Sequence, residues 1–280
     1  PRVAFFRGSL DEVRIYNRAL SEAEIQALLV VDPLQASEPS PARDATVDIR
    51  DVDSLTWTAG DSAVSHDVYF GADRSAVAAA DKDAEEFKGN RSDAGFSLAD
   101  LVTFGGGDYY WRIDEVAADG TVRTGDVWKF TVPAYLTIDD FESYTDDDAN
   151  GLTIYQAWVD GYTDQASNSM VGYLNSSGGT FGEIAVVHGG GQSMPIQYDD
   201  ANSPYFSQVE RTWASSQDWT AEDVDTLTLF LRGVASNGLD RLYVGIKDSN
   251  GKTAVVAYEN PDVVKTTTWV EWSIPLSKFA

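Results

Sequence analysis

The sequence predicts an all-β chain. Short segments rich in β-branched and aromatic residues, such as SLTWT, YYWRIDEV and TLTLFLRG, are separated by Gly-, Asn- and Asp-bearing turns. Within them apolar residues recur at every second position, the period of a half-buried strand. Helical spacing is confined to one short stretch near the N-terminus. With 43% hydrophobic and 12% aromatic residues, the 280-residue chain has apolar surface for more than one core.

Residues 1–31 read as a strand and a short helix. SLDEVRIY alternates, Ser21 and Glu24 form an S-x-x-E capping box, and Ile25, Leu28 and Leu29 make the apolar stripe. One strand and one helix cannot bury a core alone. The stretch from Gly8 to Ile25 resembles the C-terminal signature of laminin-G-like (concanavalin A-like) domains. That implies the tail of such a domain, and hence a piece of a longer polypeptide. Residues 32–42, with three Pro and no periodicity, are expected to be a linker.

Residues 43–132 carry strand candidates at 54–58, 66–71, 109–116 and 127–132, with turn material (GGGD, ADG) on both sides of the third. This spacing predicts a sandwich of about seven strands in about 100 residues. The stretch resembles a fibronectin type III-like domain, which implies Trp57 as its core tryptophan and Tyr110 as its corner tyrosine. His66 is expected to be a satisfied or surface histidine.

Residues 133–280 hold strand candidates at 184–188, 193–198, 226–233, 241–248, 253–259 and 270–276. Two antiparallel sheets of this size form a jelly roll. DDFESY, HGGGQSMPIQYD, LTLFLRG and W-x-x-W-x-I-P-L resemble the β-jelly-roll carbohydrate-binding modules of the galactose-binding-like superfamily. Relative to that pattern the closing strand is missing.

Net charge is −25, and residues 133–280 alone carry 21 acidic and 7 basic side chains. Such a surface disfavours nucleic acid and anionic membranes, and is compatible with neutral glycans and divalent cations. No apolar run approaches the length of a membrane span, and Cys is absent. No H-E-x-x-H, G-x-S-x-G or P-loop motif occurs. With two His and no Cys, few nucleophile–base pairs can be drawn, so no enzyme is expected.

The acidic stretch TIDDFESYTDDDANG, residues 137–151, carries six carboxylates. Asp146, Asp148, Asn150 and Gly151 fit D-x-D-x-N-G, the first half of a calcium loop, although position twelve is Ala157. Asp139, Asp140 and Glu142 form a second group. The jelly-roll resemblance implies that Asp140 and Glu142 help to hold a structural Ca²⁺. Sugar recognition needs aromatic faces and planar polar groups. Alternation places Leu242, Val244 and Ile246 inside and Tyr243 and Lys247 outside. It likewise places Leu227, Leu229 and Leu231 inside and Phe230 and Arg232 outside. Arg232, Tyr243, Lys247, Trp158, His188 and Gln192 are the carbohydrate-binding candidates, and Trp269 is placed outside the core.

The expected function is non-catalytic binding of a polysaccharide or surface glycan by an extracellular or cell-surface protein of bacterial type, with calcium as structural ion. The alternative is a surface or filament protein whose copies pair through strand complementation, SLDEVRIY with Asp11 and Glu12 serving as donor strand. A glycoside hydrolase is the third reading, and it requires two facing carboxylates across a cleft.

Overall fold

The computed structural model describes residues 18–19, 32–162, 166–173 and 179–280. The expected strand and helix of residues 8–31 fall outside the described residues, apart from Arg18 and Ala19. The chain is all-β with few helical turns and divides into two compact units, residues 1–134 and 135–280. Among the described residues no helix is long and apolar enough to cross a membrane.

The first unit is a sandwich of two sheets. One has the order β1 (Ser37–Ser40), β3 (Ser54–Thr58), β6 (Gly95–Ser97). The other runs β2 (Ala45–Thr46), β9 (Val127–Val132), β7 (Gly107–Ala117), β4 (Ala63–Gly71), β5 (Phe87–Arg91), with β8 (Val122–Arg123) also on β7. Every pair is antiparallel except β2 with β9. The inward positions alternate along each strand, as the pleat requires. Leu55 and Trp57 come from β3, Val68 and Phe70 from β4, Trp111 and Ile113 from β7, and Trp128 and Phe130 from β9. Their rings pack closely, with the Trp111 and Trp128 centroids 4.5 Å apart, edge to face.

Two expectations need revision here and a third holds. Residues 32–42 are not a linker, because Ser37–Ser40 pairs with β3 and Ala36 is buried. Pro39 is tolerated within β1 because that strand lies at a sheet edge, where a missing N–H costs no ladder bond. The buried tyrosine at the head of β7 is Tyr109, not Tyr110. Tyr109 shares the parity of Trp111 and Ile113, and its hydroxyl accepts from the Thr103 backbone N–H at 3.0 Å. His66 is satisfied, but inside: it is buried against the Trp57 ring and pairs through Nδ1 with buried Glu115.

Helix α1 (Arg74–Ala79) packs on this unit and is capped at its start by Asp73, which accepts from Ala76 N–H at 2.8 Å. Its C-terminal carbonyls are met by buried Arg112, which donates to Val77, Ala78 and Ala80 oxygens at 2.7–2.8 Å and to Asp114 through two nitrogens. These buried charges are fully engaged in holding the helix to the sheet.

The second unit is built from antiparallel pairs. The element α2 (Ile154–Ala157) leads into β10 (Trp158–Val159), which pairs with β13 (Glu210–Arg211). β11 (Ser169–Val171) pairs with β12 (Ile196–Tyr198). Two longer antiparallel pairs follow, β14 (Thr226–Leu231) with β17 (Val270–Pro275), and the hairpin of β15 (Tyr243–Lys247) with β16 (Thr253–Ala257). Among the described residues these remain four two-stranded ladders, not two continuous sheets.

Alternation in β14 and β15 follows the predicted parity, with Leu227, Leu229, Leu231, Val244 and Ile246 inward. Those inner rows are half-buried and meet at Tyr258 and Trp272, whose rings lie 4.9 Å apart, edge to face. Residues 184–188, expected as a strand, form bends. The Glu183 carboxylate accepts the N–H groups of Ala185 and Val186, donors that a ladder would need.

Candidate functional site

The acidic stretch 137–151 answers to protein donors. Asp139 has a side chain 9% exposed. It accepts from Phe141 N–H at 2.9 Å, the Tyr144 hydroxyl at 2.5 Å and the Trp158 indole N–H at 2.8 Å, with Arg211 Nε at 3.8 Å. Burial, reinforced by the hydrogen bond to the Asp139 anion, pushes the Tyr144 hydroxyl far above the usual tyrosine range. Trp158, a sugar-binding candidate, is thereby a structural donor, and Arg211 lies over the Trp213 ring at 5.4 Å. Asp140 is exposed and accepts from Glu142 N–H at 3.0 Å.

Glu142 reaches forward by about fifty residues. Its two oxygens accept from Gly191 N–H at 3.1 and 2.9 Å, and Oε1 also from Gln192 N–H at 3.2 Å. In the reverse direction the Gln192 amide donates to the carbonyls of Phe141, at 2.5 Å, and Tyr144, at 2.8 Å. The DDFESY segment and the GGGQ loop are thus clamped from both sides. Gln192 spends its side chain on this clamp.

The D-x-D-x-N-G residues are likewise occupied. Asp146 accepts from Phe181 N–H at 2.8 Å. Asp147 caps the 3-10 turn Asp148–Asn150 by accepting from Asn150 N–H and Nδ2. Asp148 accepts from the Tyr155 hydroxyl at 2.5 Å and Gln156 Nε2 at 3.1 Å. Gly151, at φ +74°, closes the turn. Calcium needs six to eight oxygens converging on one point. Among the described residues no three His, Cys, Asp or Glu side chains are grouped to hold a metal ion. The expected ligands Asp140, Glu142, Asp146, Asp148 and Asn150 are engaged instead in hydrogen bonds with protein groups.

An exposed aromatic group forms where the glycine loop meets β14 and β17. Phe230 lies on the outer row of β14, opposite Glu271 of β17, and is 42% exposed. The exposed His188 ring is stacked on it, with centroids 3.7 Å apart and planes 14° from parallel. Trp269 meets His188 edge-on at 5.7 Å. Two residues beyond Phe230, Arg232 donates through Nε to the Thr267 carbonyl at 2.7 Å, which fixes its guanidinium beside the platform.

Glu183 flanks the group. It accepts from the Tyr173 hydroxyl at 2.5 Å and from two backbone N–H groups, and these bonds, the tyrosine's first, hold it below the usual carboxylate range, with Arg232 adding to the effect. Tyr173 in turn is pushed up to about 12, by burial first and by Glu183 second.

Of the six sugar-binding candidates, His188 rests on Phe230, Arg232 follows Phe230 by two residues, and Gln192 lies in the anchor of the loop that carries His188. Tyr243 and Lys247 stand on the outer row of the β15–β16 hairpin, where the Tyr243 hydroxyl donates to Gln208 Oε1 at 3.0 Å. Phe230 and Trp269 complete the platform. Their outward parity was the available signal, and their pairing with His188, 42 residues before Phe230 and 81 before Trp269, was not.

No family model, no curated protein and no solved structure matches the chain.

Proposed function

We propose that residues 135–280 bind carbohydrate without transforming it, as part of a protein that works outside the cell. The observation that carries this reading is the solvent-facing stack of His188 on Phe230, edged by Trp269. A pyranose has an apolar face that packs on such rings, and its hydroxyls need planar donors and acceptors at the rim. Arg232, Glu183 and Glu271 supply both kinds. Glu183 suits an acceptor better than a general acid, because its environment lowers its proton affinity, whereas a catalytic acid needs it raised.

The test is affinity electrophoresis of the full chain through gels containing single soluble polysaccharides. Phe230→Ala and Trp269→Ala are each expected to weaken binding roughly tenfold or more, as hot-spot aromatics do, with an unchanged thermal melt. Retardation that survives both substitutions sinks the proposal, as does the absence of retardation by every glycan tried.

Self-assembly through strand pairing is the second reading. It is favoured by the two long ladders, which are two-stranded with half-buried inner rows. It predicts a sedimentation coefficient that rises with protein concentration, and a concentration-independent value refutes it.

A further inference from the structure

We infer that Glu142 is the positioning residue of the platform and does its work without a metal ion. Its carboxylate seats the backbone of the glycine loop so that His188 is presented flat on Phe230. The loop is glycine-rich at residues 189–191, and so has little intrinsic preference for one shape. The structure gives it one. Both Glu142 oxygens point into the N–H groups of Gly191 and Gln192, an arrangement of successive backbone donors around an anion.

Gly190, at φ +71°, lets the carboxylate approach. A Cβ there would lie 2.2 Å from Glu142 Oε1. Gln192 completes the seat by donating back to Phe141 and Tyr144 carbonyls on either side of Glu142. His188 lies three residues before Gly191 of this anchor, and its ring rests on Phe230. The anion in this segment thus meets backbone N–H dipoles where a cation would otherwise be needed. Ordering the loop before a ligand arrives removes an entropic cost of binding.

The inference rests on the glycan reading only for its effect on affinity. The experiment therefore reads the platform first, by proton NMR of the His188 imidazole in the full chain, assigned by the signal missing from His188→Gln. Ring current from Phe230 displaces this signal in the parent. Glu142→Ala and Gly190→Ala are expected to move it toward the position of free imidazole. Glu142→Gln, which keeps one acceptor oxygen and loses the charge, is expected to fall between. Polysaccharide affinity is expected to drop about tenfold in Glu142→Ala. Addition of EDTA or of CaCl₂ to the parent is expected to move neither signal nor affinity.

The inference is overturned if EDTA on the parent reproduces the Glu142→Ala spectrum, or if the His188 signal stays in place in Glu142→Ala. Should Glu142→Ala fail to fold, Glu142→Gln and the EDTA arm decide by the same criteria. A parent that binds no glycan defeats the proposed function, while the NMR and EDTA arms still decide the role of Glu142.

Discussion

Replacing Asp139 by Ala is the sharpest probe of how the second unit is held together. The side chain is almost wholly enclosed and accepts from Phe141, Tyr144 and Trp158, with Arg211 alongside. A hydrogen bond to a charged group contributes about 1.5–3 kcal/mol, but bonds sharing one carboxylate are not additive. Removing one member of a buried charged set costs about 3–5 kcal/mol, because the remaining donors and the cation lose their partner. We expect a loss in that range, a large share of the stability of about 5–15 kcal/mol typical of a domain. For a unit of this size each kcal/mol lowers the midpoint by about 2–4 °C. The assay is urea and thermal unfolding of the full chain, following the transition of residues 135–280 by tryptophan fluorescence. Tyr144→Phe, which deletes one donor and leaves the others, is expected to cost less than half as much. A loss below about 1 kcal/mol for Asp139→Ala refutes the reasoning, since it would mean that water replaces the missing carboxylate without penalty.

Other perturbations test neighbouring claims. Tyr109→Phe should destabilise the first unit by about 1 kcal/mol through the lost bond with Thr103, while Tyr110→Phe stays within about 0.5 kcal/mol, and the reverse order in urea melts contradicts the placement of Tyr109. Glu183 has a depressed folded-state pKa, so its contribution is present above its ordinary value of 4.5 and is lost as pH falls through the lower folded value. Melting temperatures measured from pH 6 down to pH 3 should therefore fall more in the parent than in Glu183→Gln, and parallel curves count against it. Gly233→Ala places a Cβ 1.9 Å from the Val264 carbonyl oxygen, so the variant should lose the transition of the second unit or melt well below the parent, and a parental melt contradicts this close approach.

Much of the fold could be read from local pattern. The strand predicted at 54–58 coincides with β3 and that at 127–132 with β9, because β-branched and aromatic residues at period two serve the same pleat wherever they occur. Trp57 was expected in the core only through the fibronectin type III-like resemblance, and it is buried there. The short element at Ile154–Ala157 was not expected, being too brief to show helical spacing, although Gln156 accepts from Thr153 N–H at 3.2 Å in a capping box. The bends at 184–188 looked like a strand because Ile, Val and Val dominate, and the single preceding Glu183 turned the chain. The acids of 137–151 were legible as a group but not as a role. Whether a carboxylate meets a cation or an N–H depends on donors such as Gly191 and Phe181, which lie 35 to 50 residues away in sequence. The platform was half legible for the same reason. Parity exposed Phe230 and Arg232, and no local rule delivers His188 to them.

The parallel pairing of β2 with β9 has a consequence for tension. β2 lies near the start of the first unit's sandwich and β9 closes it, with Ala45 opposite Phe130 and Thr46 opposite Thr131. Asp44 N–H to the Lys129 carbonyl, at 2.8 Å, and Val47 N–H to the Thr131 carbonyl, at 2.9 Å, tie the two strands across this junction. When the chain is pulled from both sides, parallel strands at entry and exit slide past each other along their length. The bonds between them are then loaded together, instead of opening one after another as in a hairpin drawn apart at its ends. The first unit is therefore expected to unfold at a higher force than a hairpin opened from its ends, when the chain is stretched across this pair.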